Sequence, residues 1–130
     1  TLPISTAVFR VLKKALPGPY TFILAANNNA PKIFQSKKRS VGIRVPDNKI
    51  IRELVKTLEH PIVSSSLHNT EDELMDYFAD PELIYEKYEG IVDCVINGGY
   101  GNIQASTVID MTKGEYEIVR EGLGETKDLW

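Results

Sequence analysis

Arg44 is the residue whose type and place most suggest chemistry. It sits next to last in the stretch Ser40-Val41-Gly42-Ile43-Arg44-Val45, with Pro46 directly behind it. Proline has no N–H to give to a ladder, so the strand is expected to end there. Arg44 is thereby expected at the carboxyl edge of a sheet, where open α/β sheets bind ligands. A guanidinium makes two parallel hydrogen bonds to a carboxylate or phosphate. A plain surface arginine is the competing reading, and spacing alone weighs the two evenly.

Ser64-Ser65-Ser66 repeats the arrangement. These hydroxyls follow Pro61-Ile62-Val63, a short apolar stretch expected to be a strand. Serines and exposed backbone N–H groups suit an anion; the alternative is a polar loop capping a helix. His68 is near in sequence, but no Ser-His-Asp set can be assembled around it.

Other candidates carry less. Gly98-Gly99-Tyr100-Gly101 lacks the G-x-G-x-x-G spacing and has no helix pattern after it, so it is expected to shape a turn. Lys32, Lys37, Lys38 and Arg39 form a small basic patch. A solvated face is its commoner meaning and contact with RNA phosphates the rarer one, since few aromatics interleave. His60, His68 and Cys94 show no metal-ligand spacing. Cys94 lies within the apolar run Ile91 to Ile96 and is expected to be a buried structural thiol.

These groups need a frame. Ser5 is expected to cap a helix with Val8, Val11, Leu12 and Ala15 on one face, stopped at Leu16-Pro17-Gly18-Pro19. Tyr20 to Leu24 reads as a strand, Asn27-Asn28-Asn29 as a turn, and Pro31 to Gln35 as one helical turn. After the Arg44 strand, Asp47 or Asn48 is expected to cap a helix bearing Ile50, Ile51, Leu54, Val55 and Leu58. Glu71-Asp72-Glu73 reads as solvated. Asp80-Pro81 starts a further helix, with Leu83, Ile84, Tyr88 and Tyr85 on its buried face. Ile91 to Ile96 is expected to be a strand covered on both faces. Ser106 to Asp110 and Tyr116 to Val119 are two more strands, joined through Thr112-Lys113-Gly114. Strands that alternate with helices and then run consecutively predict an α/β fold: a twisted, mixed, open sheet with flanking helices.

The chain has 130 residues, 42% hydrophobic and 25% charged, with a net charge of −3. This is the composition of one globular domain over residues 1–130, without a global field toward nucleic acid or membrane. A single cysteine makes no disulfide, which suits the reducing cytoplasm. No apolar run is long enough to span a bilayer. Thr1, rather than Met, opens the chain, and a cut or processed N-terminus is expected.

Five motifs stand in order: Pro17-Gly18-Pro19-Tyr20-Thr21, Gly42-Ile43-Arg44-Val45-Pro46, Pro61-Ile62-Val63-Ser64-Ser65-Ser66, Ser106-Thr107-Val108-Ile109-Asp110 and Val119-Arg120-Glu121-Gly122. In this order they resemble the Sua5/YciO/YrdC family, most of all its YciO branch, and the likeness covers essentially the whole chain. The resemblance implies a YrdC-like domain of which this is the C-terminal two-thirds. It implies a relative of the L-threonylcarbamoyladenylate synthases, which use L-threonine, bicarbonate and ATP for tRNA modification. ATP is then a substrate with Mg2+ as its companion, and no bound cofactor is required. Double-stranded RNA or tRNA is an implied partner, and a nucleotide- or RNA-binding module without turnover is the alternative function.

By position, the resemblance assigns Arg44, Ser64 and Ser106 to the threonine side. It assigns Ser40, Ser66 and Arg120 to the nucleotide, with Thr21 shaping the cleft. Two departures stand out. The synthases have Ser-x-Asn where this chain has Ser66-Leu67-His68, and an imidazole does not reproduce both the donor and the acceptor of a primary amide. The family's N-terminal third, with its Lys-x-Arg phosphate clamp, has no counterpart; Lys37-Lys38-Arg39 spells that motif but follows the wrong strand. The chain alone is therefore expected to be inactive as a synthase, and an exposed sheet edge is expected to favour a homodimer.

Overall fold

The structure is a computed structural model, and it describes residues 4–26, 39–67 and 79–130. The expectations for Asn27 to Gln35, His68 and the acidic stretch at Glu71 lie outside the described residues, as do Lys32, Lys37 and Lys38. The described elements are α1 (Thr6–Ala15), β1 (Tyr20–Ala25), β2 (Ser40–Ile43), α2 (Lys49–Leu58), α3 (Pro81–Tyr88), β3 (Thr107–Asp110) and β4 (Glu117–Arg120). The chain divides into two compact units, residues 1–52 with 105–130, and residues 53–104.

The first unit holds the sheet, in the order β2-β1-β3-β4. β1 pairs antiparallel with β2 and parallel with β3, and β3 pairs antiparallel with β4. The mixed open sheet expected from the element order is the one observed. α1 starts where expected: the Ser5 hydroxyl accepts from the Val8 N–H at 3.2 Å, satisfying one of the donors that a helix start leaves open. Its Val11, Leu12 and Ala15 are buried with Phe22 and Leu24 of β1, Ile109 of β3, Met111 and Leu129. Phe22 and Ile109 are fully buried, worth about 1.5–3 kcal/mol each.

Strand alternation sorts the side chains. Phe22, Leu24, Ile109 and the part-buried Ile43 share the face against α1. The opposite face carries Thr21, Ile23, Gly42, Val108 and Arg120, all exposed or part-buried. The last residues close one end of the core: Leu129 is buried, Trp130 meets Tyr116 edge-on at 5.5 Å, and the Tyr20 hydroxyl donates to the Glu125 carbonyl at 2.8 Å.

In the second unit two expectations are corrected. Neither Pro61-Ile62-Val63 nor Ile91 to Ile96 is a strand; the latter has only an isolated bridge between Glu89 and Val92. Ile91 is 75% exposed and Cys94 is exposed, so the expected buried thiol is not found. An apolar run becomes a strand only with a neighbour to complete its ladder, and among the described residues of this unit neither run has one. The helices fare better. Asp80 caps α3, its Oδ1 accepting from the Glu82 N–H at 2.9 Å with Pro81 at the first turn. Leu83, Ile84 and Tyr88 are part-buried, while Tyr85 is 52% exposed. α2, which crosses the boundary between the units, is capped by Asn48, whose Oδ1 accepts from the Ile51 N–H at 3.1 Å. Its apolar face has the expected spacing, but none of its residues is buried.

Candidate functional site at one end of the sheet

The strand directions gather several chemistry-bearing residues. β2 and β4 run against β1 and β3, so the ends of β2 and β4 lie beside the starts of β1 and β3. Arg44 follows directly on β2, Thr21 is second in β1, Ser106 directly precedes β3, and Arg120 closes β4. Period-two alternation sets all four on the face opposite α1. A Cβ added at Gly42 would lie 3.6 Å from Thr21 Cγ2, which fixes these two as neighbours on that face. Three expected site residues, Arg44, Ser106 and Arg120, thus share one end of one sheet face.

Ser106 is the hub. Its hydroxyl lies 2.9 Å from Thr21 Oγ1. Arg120 donates to the Ser106 carbonyl from Nε at 3.1 Å and from Nη2 at 2.9 Å, and Nη2 also stands 3.3 Å from Ser106 Oγ. Ser106 itself is buried. Among the described residues the Nη1 amine of Arg120 has no acceptor, and the side chain of exposed Arg44 has neither a hydrogen bond nor a salt bridge. An exposed guanidinium without a carboxylate partner is free to meet an anion arriving from solvent.

Thr107 holds the hub in place, and sequence reasoning missed it. Fully buried, it donates from Oγ1 to the Gly124 carbonyl at 2.7 Å and accepts from the Gly122 N–H at 3.0 Å. The strand exit after Arg120 is thereby pinned beside the entry to β3. Gly122 allows this close approach, since a Cβ there would lie 2.3 Å from the Ala105 carbonyl oxygen. The Ser-Thr pair at a strand start was the available signal: alternation turns one hydroxyl to each face, and a hydroxyl turned inward needs partners.

The remaining candidates are not among the residues gathered at this sheet end within the first unit. Ser40 pairs with Ala25 at the opposite end of β2 from Arg44. Ser64 and Ser66 belong to the second unit, exposed in an irregular stretch where Ser65 Oγ donates to the Ser66 carbonyl at 3.4 Å. Arg39 is exposed just before β2. The Gly98 to Gly101 loop is the expected turn: Gly99, at φ 87°, donates its N–H to Asn97 Oδ1. Next to it, the Tyr100 hydroxyl donates to Asp80 Oδ2 at 3.1 Å. That bond, then the carboxylate's charge, raises the Tyr100 pKa above its usual value.

The family model Sua5_yciO_yrdC, described as telomere recombination, matches residues 1–122. The chain belongs to the Sua5/YciO/YrdC family. As a Sua5/YciO/YrdC domain it is similar to a Haemophilus influenzae protein (40% identity over 124 residues, 95% of this chain and 59% of that one) and to Escherichia coli YciO (38% over 125 residues, 95% and 60%). It therefore spans about 60% of the length of these relatives. The crystal structure of E. coli YciO superposes with a TM-score of 0.86, covering 96% of this chain and 60% of that one. More distant is the Sua5 of P. abyssi in complex with L-threonine, at a TM-score of 0.73 and 26% identity, covering 92% of this chain and 34% of that one. The threonylcarbamoyl-AMP synthase of Chromohalobacter salexigens is 28% identical over 104 residues, 80% of this chain and 55% of that one. The chain is thus a Sua5/YrdC-type domain related to threonylcarbamoyl-AMP synthase. No described helix is long and apolar enough to cross a membrane.

Proposed function

We propose that this domain binds L-threonine and a nucleotide along the open sheet face, as part of a threonylcarbamoyladenylate-synthase-like protein. Arg44 takes the amino-acid carboxylate, Ser106 supports it, and Arg120 turns its unused amine toward the nucleotide, with ATP as the substrate. The observation that carries the reading is the gathering of Arg44, Thr21, Ser106 and Arg120 at one sheet end. Arg44 follows β2 and Arg120 ends β4, with two strands between them. At about 4.8 Å per strand this separates them by roughly 14 Å. One carboxylate does not bridge that span, whereas an amino acid and a nucleotide laid end to end do. The relatives support the same reading, one of them a Sua5 in complex with L-threonine and another a threonylcarbamoyl-AMP synthase.

The test is calorimetric titration of the 130-residue chain with L-threonine, L-threoninol and ATP. The expected result is binding of L-threonine and ATP and none of L-threoninol, which lacks the carboxylate. Equal binding of L-threonine and L-threoninol contradicts the assignment.

A further inference from the structure

We propose that Asn97 is a site of covalent modification: the Gly98 main-chain nitrogen displaces its side-chain amide as ammonia, leaving aspartate and isoaspartate, while Asn102 in the same kind of turn is spared.

The two asparagines make a matched pair. Both are exposed and lie outside helix and strand. Asn97 Oδ1 accepts from the Gly99 N–H at 2.9 Å, and Asn102 Oδ1 accepts from the Gln104 N–H at 3.1 Å. Each bond reaches two residues ahead and closes an Asx-turn. It also polarises the amide carbonyl. An N–H aimed at that oxygen stabilises the negative charge that gathers there when a nucleophile adds to Cγ. The turn therefore primes both amides, and what differs is the nucleophile. The nitrogen after Asn97 belongs to Gly98, which has no Cβ to crowd its approach. The nitrogen after Asn102 belongs to Ile103, whose stiff β-branched side chain stands beside it. Among the described residues the Gly98 N–H has no acceptor, so its proton is open to solvent.

The reaction needs only water as co-reactant. A solvent base removes the Gly98 N–H proton as that nitrogen bonds to Asn97 Cγ. The Cγ–Nδ2 bond breaks, and Nδ2 leaves as ammonia with a proton taken from solvent. A cyclic imide remains, and water adds to one of its two carbonyls. Opening at Cγ breaks the new bond and gives aspartate. Opening at the Asn97 main-chain carbonyl keeps the new bond and gives isoaspartate, with the chain now running through Cβ and Cγ. Nothing is oxidised or reduced. Either product adds a negative charge to the loop that Gly101 and Tyr100 tie to Ala79 and Asp80, at the cap of α3.

The experiment incubates the folded chain in mildly alkaline buffer and maps its peptides by mass spectrometry, with isoaspartate measured by enzymatic methylation. Melting curves on the same samples check that each variant is folded. Wild type is expected to lose the Asn97 amide and to keep that of Asn102. Gly98→Ala is expected to slow the loss about tenfold, a barrier rise of about 1.4 kcal/mol. Ile103 is 51% exposed, so Ile103→Gly transplants the arrangement without emptying the core, and Asn102 is then expected to react at a rate comparable with that of Asn97. Loss at Asn97 no faster than at Asn102 in wild type overturns the inference, as does an unchanged rate in Gly98→Ala. Should Gly98→Ala fail to fold, Ile103→Gly decides: an Asn102 that keeps its amide there overturns the inference.

Discussion

Arg120 folds its guanidinium onto the chain itself: Nε and Nη2 grip the backbone carbonyl of Ser106 at 3.1 and 2.9 Å. Two consequences follow from one contact. The start of β3 is tied to the end of β4, and the carbonyl of a buried residue is kept satisfied. Arg120→Met keeps a long apolar stem and removes the donors. It is expected to cost about 1–2 kcal/mol, toward the lower end for an unsatisfied carbonyl because water reaches the exposed Arg120 position. Urea unfolding of the variant, read as a lowered midpoint at unchanged slope, checks this.

Thr107 and its glycine neighbours set a sharper test of the scaffold. Thr107→Val keeps shape and burial but loses both bonds, to the Gly124 carbonyl and from the Gly122 N–H. Leaving both groups without a partner is expected to cost about 2–4 kcal/mol. Gly122→Ala is expected to be worse, because its Cβ would stand 2.3 Å from the Ala105 oxygen, against backbone that has little room to give. Gly114→Ala is the control: its Cβ meets nothing within 4 Å, and stability is expected to hold or rise slightly. Thermal melts of the three variants side by side rank them.

Much of the first unit was readable because each local signal there has its own physical cause. Ser5 has a free N–H three residues on, and Val8, Val11, Leu12 and Ala15 fall on one helical face whatever surrounds them. Asp80-Pro81 likewise carries its own cap. Pro61 to Val63 and Ile91 to Ile96 differ: their apolar character says only that they suit a strand, and a strand depends on a neighbour that local sequence does not encode. The misreading of Cys94 as buried followed from that. At the site, motif order picked out Arg44, Ser106 and Arg120. The grip of Arg120 on Ser106 stayed hidden, since it depends on the register of β3 against β4, and that register shifts between Val108 and Ile109.

Tyr100 and Asp80 give a pH prediction. The Asp80 carboxylate accepts a hydrogen bond from the phenol O–H and repels the phenolate, so the folded state holds the proton more tightly than the unfolded chain. A group whose folded pKa is raised contributes stability below its unfolded pKa and loses it as pH rises through the folded value. The contribution is therefore present at neutral pH and fades on the alkaline side of the ordinary tyrosine range. In an ultraviolet-monitored titration, Asp80→Asn is expected to shift the Tyr100 transition back down, and Tyr100→Phe to remove it. Asp80→Ala additionally removes the cap of α3, at about 1 kcal/mol.

RNA binding, if the basic patch supports it, has a signature in salt. The net charge of −3 gives no overall attraction, so any affinity is expected from the local patch of Lys32, Lys37, Lys38 and Arg39 together with the cleft arginines Arg44 and Arg120. Four phosphate contacts predict a fall of roughly a hundredfold between about 50 and 200 mM salt. Filter binding of double-stranded RNA across that range reads it directly, and an affinity flat in salt rules out this patch.

The central claim is that Arg44 meets an anion, and titration of Arg44→Ala tests it most directly. Dissociation constants for L-threonine are measured alongside melting temperatures for wild type, Arg44→Ala and Arg44→Lys. Loss of a charge-assisted, two-pronged contact is expected to cost about 1.5–3 kcal/mol, or roughly ten- to hundredfold in affinity. Lysine is expected to recover only part, since a point charge does not replace the planar fork. The melting temperature is expected to stay put, because the side chain of exposed Arg44 has no partner among the described residues. An unchanged dissociation constant with a lowered melting temperature would contradict the account and make Arg44 a structural residue.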